Sequence, residues 1–399
     1  MFAVISARWL GPSDRGIFAI GMGISSFSLL IGSLGVFTGG RVLLSDPSAG
    51  FGPAHYWRVI AVLSCGQAIV LALVDIPLWH ALTGVRAPST LLCFAAYCVL
   101  MTAASLAREG LHGVGKHVRA TLSDLTAALV QLGLGVLVYL SHHVSVASLL
   151  ACGAIGFTAQ LAVAAVSMSI RARPDLSRAI RAWEQTRRAV LFSLPGLFLA
   201  AGQLFVQKGD RLVLGVFAEP RDVGIYAAGA TIADAAWILP TSVSVIVLRQ
   251  VAATRSFESL RRWRAAILLS TAAGAALLGL GASVLIHFLL GPQYAGASHI
   301  VWVLCVGSVL FASQQVDLAA CNGAGRLDLG ARVTAWGALT LLVLSLGLMP
   351  HFRGMGAALA SIGAYGCMAV LARRAAISEG RWLDAEGSRA TNSPADTEN

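Results

Sequence analysis

Apolar residues run through this chain in long stretches separated by short polar segments. A helix that crosses a bilayer needs about 20 mostly apolar residues, and eleven stretches come close to that length or exceed it. They cover residues 17–40, 59–82, 89–106, 120–141, 145–170, 189–207, 224–248, 265–290, 297–320, 330–350 and 354–372. A short apolar stub at 1–7 precedes them, and the polar tail at 377–399 is predicted to be disordered. The pattern predicts an all-α integral membrane protein.

Positive charge is distributed unevenly among the segments between these spans. If the stub counts as a first helix and the loops alternate between sides, 22 of the 29 Lys and Arg residues fall on one side and 7 on the other. The richer side comprises 41–58, 107–119, 171–188, 249–264, 321–332 and 373–399. Because cytoplasmic loops carry the excess of Lys and Arg, this side and the C-terminus are predicted to be cytoplasmic.

The composition agrees with a surface that faces lipid. Apolar residues make up 57% of the chain and charged residues only 12%, whereas soluble domains average about 25% charged residues. The net charge of +10 is accounted for by arginines that face anionic headgroups, so no nucleic-acid partner is expected. The seven cysteines lie in or beside apolar stretches without metal-ligand spacing, and we interpret them as inert core residues. No metal and no cofactor is expected.

The chain repeats itself weakly. Residues 11–21 read GPSDRGIFAIG and residues 219–229 read EPRDVGIYAAG, with six identities in eleven positions. A second pair is HGVGK at 112–116 and NGAGR at 322–326, and Arg41 and Arg249 form a third pair. Many secondary transporters are built from two such halves. The repeat predicts an N-terminal bundle at 1–180 and a C-terminal bundle at 181–376, followed by the tail.

The repeat also predicts a missing helix. The partner of the span at 189–207 would lie before Met1, since the motif pairs are 208 to 210 residues apart. We therefore expect a full-length relative to have twelve spans, and this chain to start late through a wrongly assigned start codon or a truncation. An in-frame apolar stretch of about 20 codons upstream of Met1 is the expected finding.

Several segments resemble the oligosaccharide flippases of the multidrug/oligosaccharidyl-lipid/polysaccharide (MOP) exporter superfamily. They are ARWLGPSDRGIFAIG, LHGVGKHVRATLSDLTAALVQLGLGVLVYL, KGDRLVLGVFAEPRDVGIYAAG, NGAGRLDLGARV and PHFRGMGAALASIGAYG, in that order. The resemblance covers the chain apart from its tail, and the first helix of the family pattern is absent.

This resemblance implies a flippase of the bacterial cytoplasmic membrane. Such proteins move an oligosaccharide, linked through pyrophosphate to a polyprenol, to the outer leaflet for lipopolysaccharide or exopolysaccharide synthesis. Two six-helix bundles around a polar cavity rock between inward-open and outward-open states. The implied partners are the lipid-linked oligosaccharide and the polysaccharide polymerase or export machinery, and coupling to H⁺ or Na⁺ is an open alternative.

The densest polar cluster lies at the end of the seventh helix of the family pattern. It comprises Gln203, Gln207, Lys208, Asp210 and Arg211. Four of these residues recur at i, i+4, i+7 and i+8, which is one helical face. A guanidinium can pair with pyrophosphate oxygens while amides bond to sugar hydroxyls, so the cluster is a candidate lining of the substrate cavity. The alternative is an ion pair that anchors the helix end at the interface.

Three acidic residues lie inside predicted spans. Asp75, Asp234 and Asp317 are candidates for carrying a coupling ion, because a charge at membrane depth is costly and calls for a role. Each could instead fix helix packing through a hydrogen bond. Arg41 and Arg249, at cytoplasmic helix ends, are candidates for meeting the pyrophosphate at the inner mouth, or they are plain topology signals.

A membrane-integral enzyme and a multidrug exporter remain as alternatives, and the missing helix leaves a non-functional remnant as a third. A membrane-integral polysaccharide enzyme would need catalytic groups on sizeable external loops, and the external loops here span only about 3 to 16 residues. A multidrug exporter of the same superfamily would favour an aromatic, acidic cavity, whereas this chain is basic and 8% aromatic. No glycine-rich nucleotide loop is present in the sequence. The expected protein is therefore a transporter and not an enzyme.

Overall fold

The computed structural model describes residues 2–45, 51–168, 177–254 and 258–392, and its regular structure in these ranges is helical. The helices are α1 Phe2–Ser33, α2 Val36–Ser45, α3 Pro53–Val70, α4 Ile76–Thr83, α5 Pro88–Gly113, α6 His117–Leu140, α7 Val146–Met168, α8 Ser177–Phe217, α9 Pro220–Ala233, α10 Ile238–Thr254, α11 Glu258–Leu280, α12 Ala282–Leu289, α13 Ala297–Gly323 and α14 Leu327–Asn392. A π-helical turn, Leu71–Asp75, joins α3 to α4, and a 3₁₀ turn, Asp234–Trp237, joins α9 to α10.

Nine helical stretches in the described part of the chain are long and apolar enough to cross a membrane. Eight of them match single predicted spans. The ninth, Asp328–Gly380, is 53 residues long and contains the two predicted spans at 330–350 and 354–372. The predicted span at 189–207 lies within α8, which is not among the nine.

Local backbone breaks divide helices α1 and α14. In α1, Gly11 adopts a φ of 76° and separates the N-terminal stub from the span that follows, a conformation that glycine reaches without steric cost. In α14, Arg353 has a φ of 46°, three residues after Pro350. Proline cannot donate the backbone hydrogen bond that a continuous helix requires, so the break between the last two predicted spans falls here.

The chain forms two compact units, Met1–Ala227 and Ala228–Asn399. This boundary lies later than the one predicted at residue 180, because α8 packs along α1 and α2. A Cβ added to Gly23 would stand 2.9 Å from Leu212 Cδ2, and a Cβ added to Gly35 would stand 2.8 Å from the carbonyl oxygen of Ser193. Small residues at these positions allow the close approach.

The second repeat pair has the same geometry in both units. Gly115 and Gly325 take positive φ angles of 75° and 89°. Lys116 N donates to Leu111 O at 2.8 Å, and Arg326 N donates to Cys321 O at 3.0 Å. These bonds end α5 and α13 with the same glycine cap, so the repeat read from sequence is a repeat of structure.

The packing beside these caps is also repeated. A Cβ on Gly113 would stand 3.1 Å from Arg41 O, and one on Gly323 would stand 2.6 Å from Leu248 O. In the first unit, the end of α5 thus packs against the backbone of α2, which carries Arg41. In the second unit, the end of α13 packs in the same way against α10, which carries Arg249.

The first repeat pair forms a direct contact within the first unit. A Cβ added to Gly16 would overlap the carbonyl oxygen of Pro220, and one added to Gly224 would overlap the carbonyl oxygen of Pro12. The two motifs are 208 residues apart in sequence and exchange equivalent contacts. The backbones of α1 and α9 are therefore in direct contact where the two helices cross. The two repeat motifs are related at this crossing by a local two-fold symmetry.

The C-terminal segment is helical as far as Asn392, whereas its composition predicts disorder from residue 377. Helix α14 continues through 377–392, and residues 393–399 lie outside the described ranges. Arg326 Nη1 donates to Glu379 Oε2 at 2.9 Å, and Glu379 is buried. This pair attaches the polar segment to the preceding turn, which the composition of the tail did not indicate.

Candidate transport site

Helix α8 carries the polar cluster that was predicted from spacing. All five residues, Gln203, Gln207, Lys208, Asp210 and Arg211, lie in its continuous helical part, so the predicted common face of four of them is present. Asp210 is buried, and the other four side chains are half-buried.

Asp210 is held by a residue that sequence reasoning did not select. The hydroxyl of Tyr226, which is fully buried, donates to Asp210 Oδ2, and Arg211 N donates to Asp210 Oδ1 at 2.8 Å. The available signal was the repeat, because Tyr226 stands where the first motif has Phe18. The carboxylate of Asp210 is thus committed to a contact inside the first unit.

Asp75 lies in a buried polar cluster of the first unit. It is the last residue of the π-helical turn and is 2% exposed. Ser28 Oγ on α1 donates to Asp75 Oδ2, and Gln67 Nε2 on α3 donates to Ser28 Oγ. The other amide atom, Gln67 Oε1, is buried without a hydrogen-bond partner. π-Helical turns frequently mark functional sites.

No basic side chain forms an ion pair with Asp75 in the described ranges. A lone buried carboxylate is costly, and it is stabilised by taking up a proton or a metal cation. Ser28 and Gln67 were missed by sequence reasoning because serine and glutamine in apolar helices carry no distinctive spacing.

Asp317 has the opposite surroundings in the second unit. It is fully buried, and its carboxylate lies 3.3 Å from Arg264 Nε and 3.6 Å from Arg373 Nη1. Two guanidiniums neutralise this carboxylate, which disfavours the binding of a coupling cation there. The two arginines were counted as topology signals in the sequence and were not selected as site residues.

Asp234 begins the 3₁₀ turn between α9 and α10 and is half-buried. Three residues later, Trp237 stacks on Phe311 with ring centroids 4.1 Å apart and donates to Ser308 Oγ at 3.2 Å. Tyr365 completes an aromatic cluster around this turn. The change of helix type places Asp234 at a local departure from the α-helical backbone.

Arg41 and Arg249 are both exposed at helix ends. Arg41 Nη1 lies 3.9 Å from Glu109 Oε2, and Glu109 also accepts from Arg108 Nη2 at 2.9 Å. At that distance, an ion pair from the exposed Arg41 to the half-buried Glu109 contributes little stability, so Arg41 remains able to meet an anion. Among the described residues, no group of three or more metal-ligating side chains forms a metal site.

Comparison with known proteins adds independent findings. No protein-family model matches the chain. Over 175 residues, which are 42% of the chain, it is 29% identical to the protein named "Probable flippase AglR" of Haloferax volcanii, and the match spans 37% of that protein. The aligned part is therefore well under half the length of this relative.

Similarity to solved structures extends over nearly the whole chain. The lipid II flippase MurJ in an inward closed conformation has a TM-score of 0.71 at 11% identity, covering 99% of this chain and 91% of that chain. An inward-facing MATE-family transporter of the MOP superfamily has a TM-score of 0.68 at 14% identity, covering 99% and 96%. These proteins are named as flippases and transporters. The chain is a multi-span membrane protein whose fold is similar to those of the lipid II flippase MurJ and of an inward-facing MATE-family transporter of the MOP superfamily.

Proposed function

We propose that this protein is a flippase for polyprenyl-pyrophosphate-linked oligosaccharides in the cytoplasmic membrane, working by alternating access. The observation that carries the proposal is the sequence similarity to a protein named as a probable flippase, on a fold shared with a lipid II flippase. The C-terminus is assigned to the cytoplasm, in line with the distribution of Lys and Arg. A polysaccharide polymerase or export machinery on the outer side would take up the product.

The polar cluster of α8 is assigned to the headgroup. Four polar side chains lie half-buried on α8, those of Gln203, Gln207, Lys208 and Arg211. Ionisable groups at membrane depth cost about 2.5–3.5 kcal/mol each on insertion scales, so we assign Lys208 and Arg211 to a polar cavity and not to the lipid-facing surface. Amide and guanidinium donors match the hydroxyls and phosphate oxygens of the proposed substrate.

Asp75 is assigned as the carboxyl that carries the coupling ion. Its burial, its hydrogen bond from Ser28 and the unpartnered Gln67 Oε1 support this role. A protonated carboxyl can donate to an amide oxygen, and a sodium ion can bind both oxygens. Asp317 is less suited, because two arginines already neutralise it.

The test is translocation by the purified full chain in proteoliposomes. A polyprenyl-pyrophosphate oligosaccharide is placed in one leaflet, and its arrival in the other leaflet is followed with a membrane-impermeant lectin or glycosidase. We expect flipping by the wild type and a loss of about tenfold or more in Lys208→Gln/Arg211→Gln, because charge-assisted contacts to phosphate are removed. Arg221→Gln, an exposed charge outside the cluster, is the matched control.

The multidrug alternative is tested in the same vesicles. Export of a lipophilic cation by the wild type, with no movement of the lipid-linked sugar, would replace the flippase assignment. In cells, deletion of the gene should leave lipid-linked oligosaccharide on the cytoplasmic face without a change in drug sensitivity.

A further inference from the structure

Three helices of the second unit bring two arginines onto one aspartate. Arg264 on α11 and Arg373 on α14 both face Asp317 on α13. Arg264 Nη2 also donates to Ser313 Oγ at 2.8 Å. The carboxylate is fully buried, whereas the arginine side chains are 25% and 39% exposed.

The charges in this cluster do not cancel. Two guanidiniums and one carboxylate leave a net charge of plus one. A guanidinium has five N–H donors, and Arg264 uses two of its nitrogens on Asp317 and Ser313. The 3.6 Å approach of Arg373 to Asp317 is longer than a hydrogen bond. Donors on both arginines are therefore open to a further acceptor.

The cluster lies near the end of α13 that the distribution of Lys and Arg predicts to be cytoplasmic. Asp317 precedes Gly323, the last residue of α13, by six positions, or about 9 Å along the axis. Trp263, next to Arg264, is 37% exposed and donates to Gln250 Oε1 at 3.1 Å. Tryptophan is enriched where membrane meets water, so the arginines lie near the depth of the lipid phosphates of the inner leaflet.

We propose that Arg264 and Arg373 form a binding site for a lipid-borne phosphate, and that Asp317 is its positioning residue. If the proposed function holds, the ligand is the pyrophosphate of the incoming substrate. Asp317 fixes both guanidiniums before the ligand arrives, which lowers the entropic cost of binding. A doubly charged phosphate group then draws Arg373 away from its longer contact, while Arg264 keeps its bonds to Asp317 and Ser313.

The experiment measures binding by the full chain in nanodiscs of neutral lipid. The probe is a fluorescent polyprenyl pyrophosphate without sugar, with the corresponding polyprenyl alcohol as the uncharged reference. We expect Arg264→Gln and Arg373→Gln each to weaken pyrophosphate binding about tenfold, the effect of losing one charge-assisted bond. Arg373→Lys should recover part of the affinity. Arg374→Gln, the exposed neighbour on the same helix, should bind like the wild type.

Thermal unfolding without ligand separates binding from folding. A site role predicts a melting temperature for Arg373→Gln close to that of the wild type, since its side chain is partly exposed. If Arg373→Gln is strongly destabilised while Arg373→Lys is stable but binds no better than Arg373→Gln, the arginines only hold the helices together and the proposal is overturned. Unchanged binding in both glutamine variants overturns it as well.

The source of the phosphate is decided by competition. Retention of the polyprenyl pyrophosphate against an excess of phosphatidylglycerol or inorganic pyrophosphate supports a substrate site. Equal displacement by phosphatidylglycerol would assign the arginines to bulk anionic lipid and overturn the substrate role. Flipping of the complete lipid-linked oligosaccharide is measured separately, so lost binding with intact flipping counts against this site alone.

Discussion

Two buried aspartates of the first unit accept hydrogen bonds from specific hydroxyl groups. Tyr226 donates to Asp210, and Ser28 donates to Asp75 while accepting from Gln67. An unmatched polar group in an apolar interior costs about 1–3 kcal/mol. The one position in the Asp75 cluster without a hydrogen-bond partner is Gln67 Oε1, which is where a proton or cation would complete the network.

Neutralising Asp75 should uncouple transport without unfolding the protein. Asp75→Asn keeps the size of the side chain and an oxygen that accepts from Ser28, and removing a lone buried charge does not destabilise the fold. We expect flipping in proteoliposomes to lose its acceleration by an imposed proton or sodium gradient, while a melting curve remains at or above that of the wild type. Imposing each gradient separately identifies the ion.

Asp328→Asn is the matched control, because Asp328 is an exposed carboxylate paired with Arg326. An Asp75→Asn protein that still responds fully to the gradient would remove Asp75 from coupling. Gln67→Leu, which deletes the unpartnered oxygen, should weaken the response to sodium more than the response to protons, since only the metal ion needs several oxygen ligands.

At the scale of elements, glycines set how closely helices approach. Gly16 and Gly224 bring α1 and α9 into backbone contact, each lying against the proline carbonyl of the other motif. Membrane helices associate through such small residues because lipid provides no hydrophobic driving force between helices. Close packing of the two backbones then provides the attraction. The presence of glycine at both of these repeat positions thus follows from one crossing.

Adding a methyl group at this crossing should separate the helices. Gly16→Ala and Gly224→Ala each place a Cβ on a backbone oxygen that cannot rotate away, and overpacking of this kind costs about 1–3 kcal/mol. Thermal or denaturant unfolding in detergent should show the loss for both variants. Gly133→Ala on α6 is the control, because a Cβ there meets nothing within 4 Å and alanine favours the helix. Equal stability of all three variants would show that the contact is not tight.

The double variant tests whether one interface is involved. Both substitutions separate the same two helices. The double variant should therefore lose less stability than the sum of the losses in the two single variants, as expected for residues in contact. Strict additivity would indicate two unrelated local effects.

At the scale of the whole molecule, the sequence predicted helices and repeats better than side-chain partners. Eight predicted spans match single helical stretches of the described chain, and the repeat pair HGVGK and NGAGR has the same positive-φ glycine in both units. The packing of α8 on α1 and the convergence of Arg264 and Arg373 on Asp317 join segments far apart in sequence. No periodicity in the sequence indicates which of these distant residues come into contact. The helical tail to Asn392 was missed because its polar composition hid the pairing of Arg326 with Glu379.

The distribution of Lys and Arg also predicts the orientation of the chain in the membrane. With 22 Lys and Arg residues on one side and 7 on the other, the turn at 112–116 should lie in the cytoplasm and the turn at 141–145 outside. Short epitope tags inserted after Gly115 or His142 test this in whole cells, since both turns are exposed. The tag at His142 should be reached by antibody without permeabilisation, and the tag at Gly115 only after it. A reversed result would place Arg264 and Arg373 at the outer leaflet, where they would meet a product and not an incoming substrate.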